Sequence, residues 1–165
     1  MRALSLITMM ACLLAAPAAL AADATFTVKH LTPETALKAA QKAMETCRTN
    51  GYQVGVAVVD RSGVTQVVLR DRIAGPHTVE IATNKAWTAV SMRTDTLSLA
   101  KVSDAGGASS GVRQFPRVVA VGGGVPIEGG GTMLGAIGVS GAPGGEADDV
   151  CAKAGIAAIQ DDLDF

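Results

Sequence analysis

The chain has 165 residues, enough for a core of ordinary size, and 48% of them are hydrophobic while only 3% are aromatic. Its 14 Lys and Arg stand against 15 Asp and Glu, a net charge of −1, which excludes recognition of nucleic acid or an anionic membrane by bulk charge. The 19 glycines point to tight turns and close backbone packing rather than to a large aromatic pocket.

The N-terminus reads as an address. Arg2 is followed by an apolar run from Leu4 to Leu14, and Ala19-Leu20-Ala21 places small residues where a signal peptidase cuts. Residues 1–21 are therefore expected to be a cleavable export signal, too short for a spanning helix. The mature chain is expected to begin at Ala22 and to form one domain over residues 22–165. A lipoprotein signal at Cys12 is the rival, but Met9-Met10 is a poor lipobox and the apolar run continues past the cysteine. Loss of Arg2 leaves 13 basic against 15 acidic residues, a net charge of −2. No later apolar stretch is long enough to span a bilayer. The mature chain keeps Cys47 and Cys151. An even count in an oxidising compartment permits a bridge, which would close a loop of ~100 residues. The alternative is two buried thiols on apolar helical stripes.

Thr32-Pro33-Glu34 predicts a helix start, with a hydroxyl cap, Pro at the first helical position and an acid in the first turn. Leu37, Ala40, Met44 and Cys47 then share one face, and Asn50-Gly51 closes the helix. Val54 to Val59 reads as a strand covered on both faces. Asp60-Arg61-Ser62-Gly63 is a turn, and Val64 to Arg70 is the return strand of a hairpin. Gly75-Pro76 opens a second helix whose Val79, Ala82, Ala86, Ala89 and Val90 should face the core. His77, Glu80, Ile81, Asn84 and Thr88 fall on the opposite side, flanked by Trp87.

Thr94 to Val102 predicts a short helix and Asp104 to Gly111 a Gly/Ser/Ala-rich loop. Val118 to Val121 and Met133 to Val139 read as further strands. Gly141 to Gly145 is a loop. Glu146 begins the last helix, with Ala147, Val150, Cys151, Ala154 and Ala158 as its stripe. Hairpins imply antiparallel pairing, and strands covered on both sides imply three layers. The expected fold is an α/β/α sandwich around a mainly antiparallel, five-stranded sheet.

Neither glycine cluster, Gly122 to Gly124 or Gly129 to Gly131, is followed by the Lys-Ser/Thr of a phosphate loop, and Gly122 to Gly124 is not followed by a helix either. They read as tight turns and close approaches, or as a glycine wall where a flat ligand touches backbone at Gly123 and Gly124. With only His30 and His77 present, neither a hydrolytic triad nor a zinc site is available. His77 is the strongest site residue. A helix N-terminus disfavours an added positive charge, and a neutral imidazole is the form that ligates iron or cobalt. The free N–H groups there could also receive a carboxylate such as a haem propionate. Otherwise His77 is an exposed or interface residue capping local backbone. Lys85, beside the His77 face, is expected to be a solvated, snorkelling side chain. Trp87 either fills a subunit interface or stacks on a macrocycle. Arg113 and Arg117 flank Phe115-Pro116 and pair with surface acids or an anionic ligand.

Three segments carry a resemblance. Ala74 to Ala89 (containing Gly-Pro-His-Thr), Gly122 to Ile127 (Gly-Gly-Gly-Val-Pro-Ile) and Gly135 to Glu146 together resemble the GlcG/HbpS family over nearly all of the mature chain. The resemblance implies a profilin-like fold, homo-oligomers, and haem as cofactor, with cobalamin as the alternative. His77 matches the family position in Gly-Pro-His-Thr and is the implied axial ligand, with Glu80, Lys85, Trp87, Gly123 and Gly124 around it. It implies an exported haem-binding protein serving storage or sensing, with weak redox activity at most and no evident catalytic pair. An accessory protein or enzyme of small hydroxy-acid (glycolate) metabolism and a corrinoid-binding module are the alternatives.

Overall fold

The computed structural model describes residues 23–163. The expected export signal, with Cys12 and the cut before Ala22, lies outside them. Helix α1 (Pro33–Thr49) starts as its sequence predicts: the Thr32 hydroxyl accepts the Thr35 N–H at 3.2 Å, and Pro33 and Glu34 follow. It ends in a Schellman motif, with Tyr52 N–H donating to Cys47 C=O and Gly51 N–H to Arg48 C=O. Gly51 supplies the left-handed φ of 85° that this closure requires.

The buried face of α1 is Ala36, Ala39, Ala40, Ala43, Met44 and Cys47. Leu37, expected inside, is 38% exposed. The helix turns its alanines toward α4 (Gly145–Ala157), where a Cβ at Gly155 would stand 2.6 Å from the Ala39 carbonyl. A leucine is too large for that seam.

β1 (Gly55–Asp60) and β2 (Thr65–Arg70) form the expected hairpin, with Asp60 Oδ1 accepting the N–H groups of Ser62 and Val64. β3 (Gly124–Gly129) and β4 (Thr132–Ser140) form a second hairpin through Gly130 and Gly131, both at positive φ. The sheet is antiparallel in the order β2-β1-β4-β3. It has four strands, not five. Val118 to Val121 joins no strand, because the chain bends at Arg117 (φ 75°) and Gly123 (φ 112°) and crosses α2 (His77–Met92) instead. There the Val119 N–H bonds the Thr88 hydroxyl at 3.0 Å, which also draws Thr88, expected on the outer side, into the interior.

Alternation along the strands divides the interior. Val56, Val58, Ile137 and Val139 face α1 and α4 in the main core. Val59 and Ala136 face Ala86, Ala89 and Val90 of α2 in a smaller one. On the α2 side the sheet presents glycines. A Cβ at Gly55 would lie 2.8 Å from the Thr78 carbonyl, one at Gly138 2.7 Å from the Ala86 nitrogen, and one at Gly124 2.8 Å from the Lys85 carbonyl carbon. α2 thus lies on the sheet backbone. Helix α3 (Thr96–Val102), capped by Asp95, a 3-10 helix at Ser110–Gln114 and the short α5 (Gln160–Leu163) complete the described elements.

The predicted stripe of α4 is only partly inside. Cys151 is buried, but Val150 is 56% exposed and Asp148 and Asp149 are buried. Both acids have cationic partners, Lys85 and Lys153, each at 2.6 Å. Cys47 and Cys151 are joined, with 5.5 Å between their Cα atoms, and the bond ties α1 to α4. Beside the bridge, at the same end of α1, Arg48 grips Asp71 through two bonds of 3.1 and 2.7 Å.

Two outcomes follow from these ties. The bridge closes a separation of 104 residues, worth up to about 4–5 kcal/mol in the chain-entropy model. Guanidinium unfolding with and without dithiothreitol should show a large loss of midpoint on reduction, matched by Cys47→Ala/Cys151→Ala; coincident curves would mean that the bridge contributes nothing. The Arg48 guanidinium and the Arg72 N–H hold the Asp71 carboxyl below its ordinary value of 3.8. Its contribution is therefore fully present above that value and is lost as pH falls through the lower folded-state value. The Tm deficit of Asp71→Asn should be clear at pH 7 and shrink as pH falls below 3.8; a deficit constant with pH would contradict this.

Candidate functional site

A cleft of about 410 Å³ opens between the N-terminal half of α2, the crossing segment at Val119 and Val121, and the loop that leads from β4 into α4. His77, the first residue of α2, is exposed at it. Ile81, one turn further on, and Val119, Val121 and Ala142 supply apolar lining.

Lys85 and Asp148 also line the cleft. Lys85 is 2% exposed rather than solvated, so the snorkelling expectation fails. Its ammonium donates to Asp148 Oδ2 at 2.6 Å and to the Val139 carbonyl at 3.0 Å. Asp148 Oδ1 accepts the Ala142 N–H at 2.9 Å. The pair therefore ties α2, β4, the 141–145 loop and α4 together. Burial holds the Asp148 carboxyl above the usual carboxylate range, against the opposing pull of Lys85.

The other expected site residues scatter. Glu80 is exposed on the first turn of α2 and is outside the cleft lining. Trp87 is half-buried elsewhere, with the Arg117 guanidinium 4.6 Å from its ring centroid and Gly63 of the β1–β2 turn against its edge. Gly123 and Gly124 pack against Asp148 and the Lys85 backbone and shape the fold without lining the cleft. Arg113 bonds the carbonyls of Ser103 and Ala100 together with Asp104, stapling the loop after α3. Sequence reasoning missed Asp148 and Ser140. The signal available was two adjacent acids within an otherwise apolar helix, and a hydroxyl ending a buried strand.

Among the described residues no group of three His, Cys, Asp or Glu could hold a metal ion. Iron or cobalt bound here would meet one imidazole and would need its remaining ligands from elsewhere, which is what a tetrapyrrole supplies. An apolar cleft with a single imidazole fits such a group.

A family model described as "Haem degrading protein HbpS-like" matches residues 31–157. The crystal structure of an HbpS double mutant from Streptomyces reticuli shares 40% identity at a TM-score of 0.78, covering 88% of this chain and 97% of that one. A PduOC:heme complex shares 32% identity at a TM-score of 0.73, covering 79% and 95%. The corrinoid adenosyltransferase PduO of Salmonella typhimurium is 35% identical over 119 residues, 71% of this chain. The chain spans 35% of that protein's length and 32% of its Citrobacter freundii counterpart's.

The buried pair makes a direct prediction. Lys85→Met leaves Asp148 dry and unpaired and should cost about 3–5 kcal/mol. Adding Asp148→Leu should recover most of that loss, since the second charge is gone. Chemical denaturation of the single and double variants measures both; a harmless single variant would contradict the assignment.

Proposed function

Because the chain belongs to the HbpS-like family, we propose that it is a haem-binding protein that takes the tetrapyrrole at the His77 cleft. The observation that carries this reading is the exposed imidazole at an apolar cleft, where no group of three His, Cys, Asp or Glu among the described residues could hold a metal ion by itself. A relative at 32% identity solved as a heme complex supports it. Bound haem would supply an iron centre able to take an axial ligand and to change oxidation state. His77 would offer the ligand nitrogen, Ile81 and Val119 would supply apolar contact that excludes water, and the Lys85–Asp148 pair holds the loop on the other side of the cleft. Binding, storage or sensing fits this arrangement better than turnover, since the two buried ionisable groups that line the cleft are committed to each other.

Export and self-assembly belong to the same proposal. Residues 1–21 read as a signal that would carry the chain to where extracytoplasmic haem is met, leaving residues 22–165 as the working unit. Phe26, Ile73 and Phe115 are large apolar side chains left exposed, as surfaces covered by further copies would be. A corrinoid is the second reading, favoured by the corrinoid adenosyltransferase relatives, because cobalt also accepts an imidazole.

Titration of the purified protein with haemin should give a saturable Soret shift, and His77→Ala should weaken binding by about tenfold or more. A flat titration at micromolar protein would remove the haem reading. Cobalamin binding tighter than haemin binding would put the corrinoid reading in its place.

A further inference from the structure

Ser140 ends β4, is 6% exposed and lines the cleft. Among the described residues its hydroxyl has no hydrogen-bond partner, although the neighbouring polar groups are satisfied. The residue is nearly buried, yet its hydroxyl oxygen is not closed off inside the protein, so it faces the cleft and is free to bond whatever sits there. Lys85 lines the same cleft with a three-donor ammonium. Val139 and Asp148 take two of its N–H groups, leaving one uncommitted. Gly144 and Gly145 line it too, and there α4, a helix of 13 residues, begins without a side-chain cap. Its first N–H groups have no acceptor within the helix and carry the positive end of its dipole.

We propose that the floor of the cleft is a subsite for one carboxylate group, held by the Ser140 hydroxyl, the uncommitted N–H of Lys85 and the first backbone N–H groups of α4. Every group so placed offers a hydrogen, so the occupant is an acceptor. Its charge is single. Asp148 faces the same cleft and already balances Lys85, and Glu146 stands in the first turn of α4. The remaining attraction is that of a helix terminus and a hydroxyl, too little for a dianion. The Asp148 oxygens accept from Lys85 and from the Ala142 N–H, and neither accepts from the Ser140 hydroxyl. Ile81, Val119, Val121 and Ala142 around the subsite ask that the body attached to the carboxylate be apolar. That body is either the edge of a tetrapyrrole, in which case the subsite rests on the haem reading, or a free small carboxylic acid, in which case it does not.

Two arms separate the sources. Acetate and isobutyrate are titrated into isotope-labelled protein while the amide signals of Gly145 and Glu146 are followed, with inorganic phosphate as the dianionic control. Haemin is compared with its dimethyl ester by absorption. Saturable amide shifts with the monocarboxylates, weakened about tenfold in Ser140→Ala, establish the subsite for a free acid. Silence from both acids, with haemin binding about tenfold tighter than its ester and Ser140→Ala erasing that gap, establishes it for the tetrapyrrole edge. The proposal is overturned by silent monocarboxylates with haemin and ester alike, by phosphate binding more tightly than acetate, or by indifference of every response to Ser140→Ala. Acetate binding without haemin binding retires the haem reading and keeps the subsite. Haemin binding indifferent to esterification, with both acids silent, does the reverse.

Discussion

Lys85 and Asp148 meet 2.6 Å apart inside the protein, and neither can move without leaving the other charged and dry. The contact joins the middle of α2 to the first turn of α4 across 63 residues of chain. Through the Val139 carbonyl and the Ala142 N–H it also fixes the end of β4 and the loop beyond it. The walls of the cleft are therefore set by one ion pair and its two backbone bonds. Because a buried pair contributes little net stability over apolar replacements, its presence beside the cleft is better understood as placing these segments than as strengthening the fold.

The pair can form only if α2 comes very close to the sheet, and the glycines allow that. Gly55, Gly138 and Gly124 leave no side chain between helix and strands, and each would collide with α2 backbone if it carried a Cβ. The core on that face is accordingly small, while the α1/α4 face holds the larger cluster. A composition that looks merely loose, with 19 glycines and 3% aromatics, is the requirement of a thin interface. The site sits at the edge of this interface, where α2 begins.

Features set by neighbours in the chain were legible beforehand. The cap at Thr32, the Schellman closure at Gly51, the Asp60 turn and the Asp95-capped helix each follow from a few adjacent residues. His77 at the start of α2 was legible for the same reason, and so was the family, from three motifs in order. Features set across the chain were not. Lys85 looks solvated until Asp148 is placed opposite, and Leu37 looks buried until α4 supplies a seam too narrow for it. Val118 to Val121 has the composition of a strand, yet two positive-φ bends carry it over α2. Ser140 carried no signal of its own. Its hydroxyl becomes notable only once everything around it is bonded.

The cross-link between α1 and α4 lies wholly on one side of the sheet. That side also holds most of the apolar burial, whereas the α2 side is held by a handful of small residues and one ion pair. Resistance to local opening should therefore be unequal across the sheet, with amides of α1, α4 and the central strands exchanging only through global unfolding and those of α2 and the 141–145 loop exchanging through smaller openings. A molecule built this way can loosen around a ligand while its other half stays closed, so capture and release need not put the whole fold at risk.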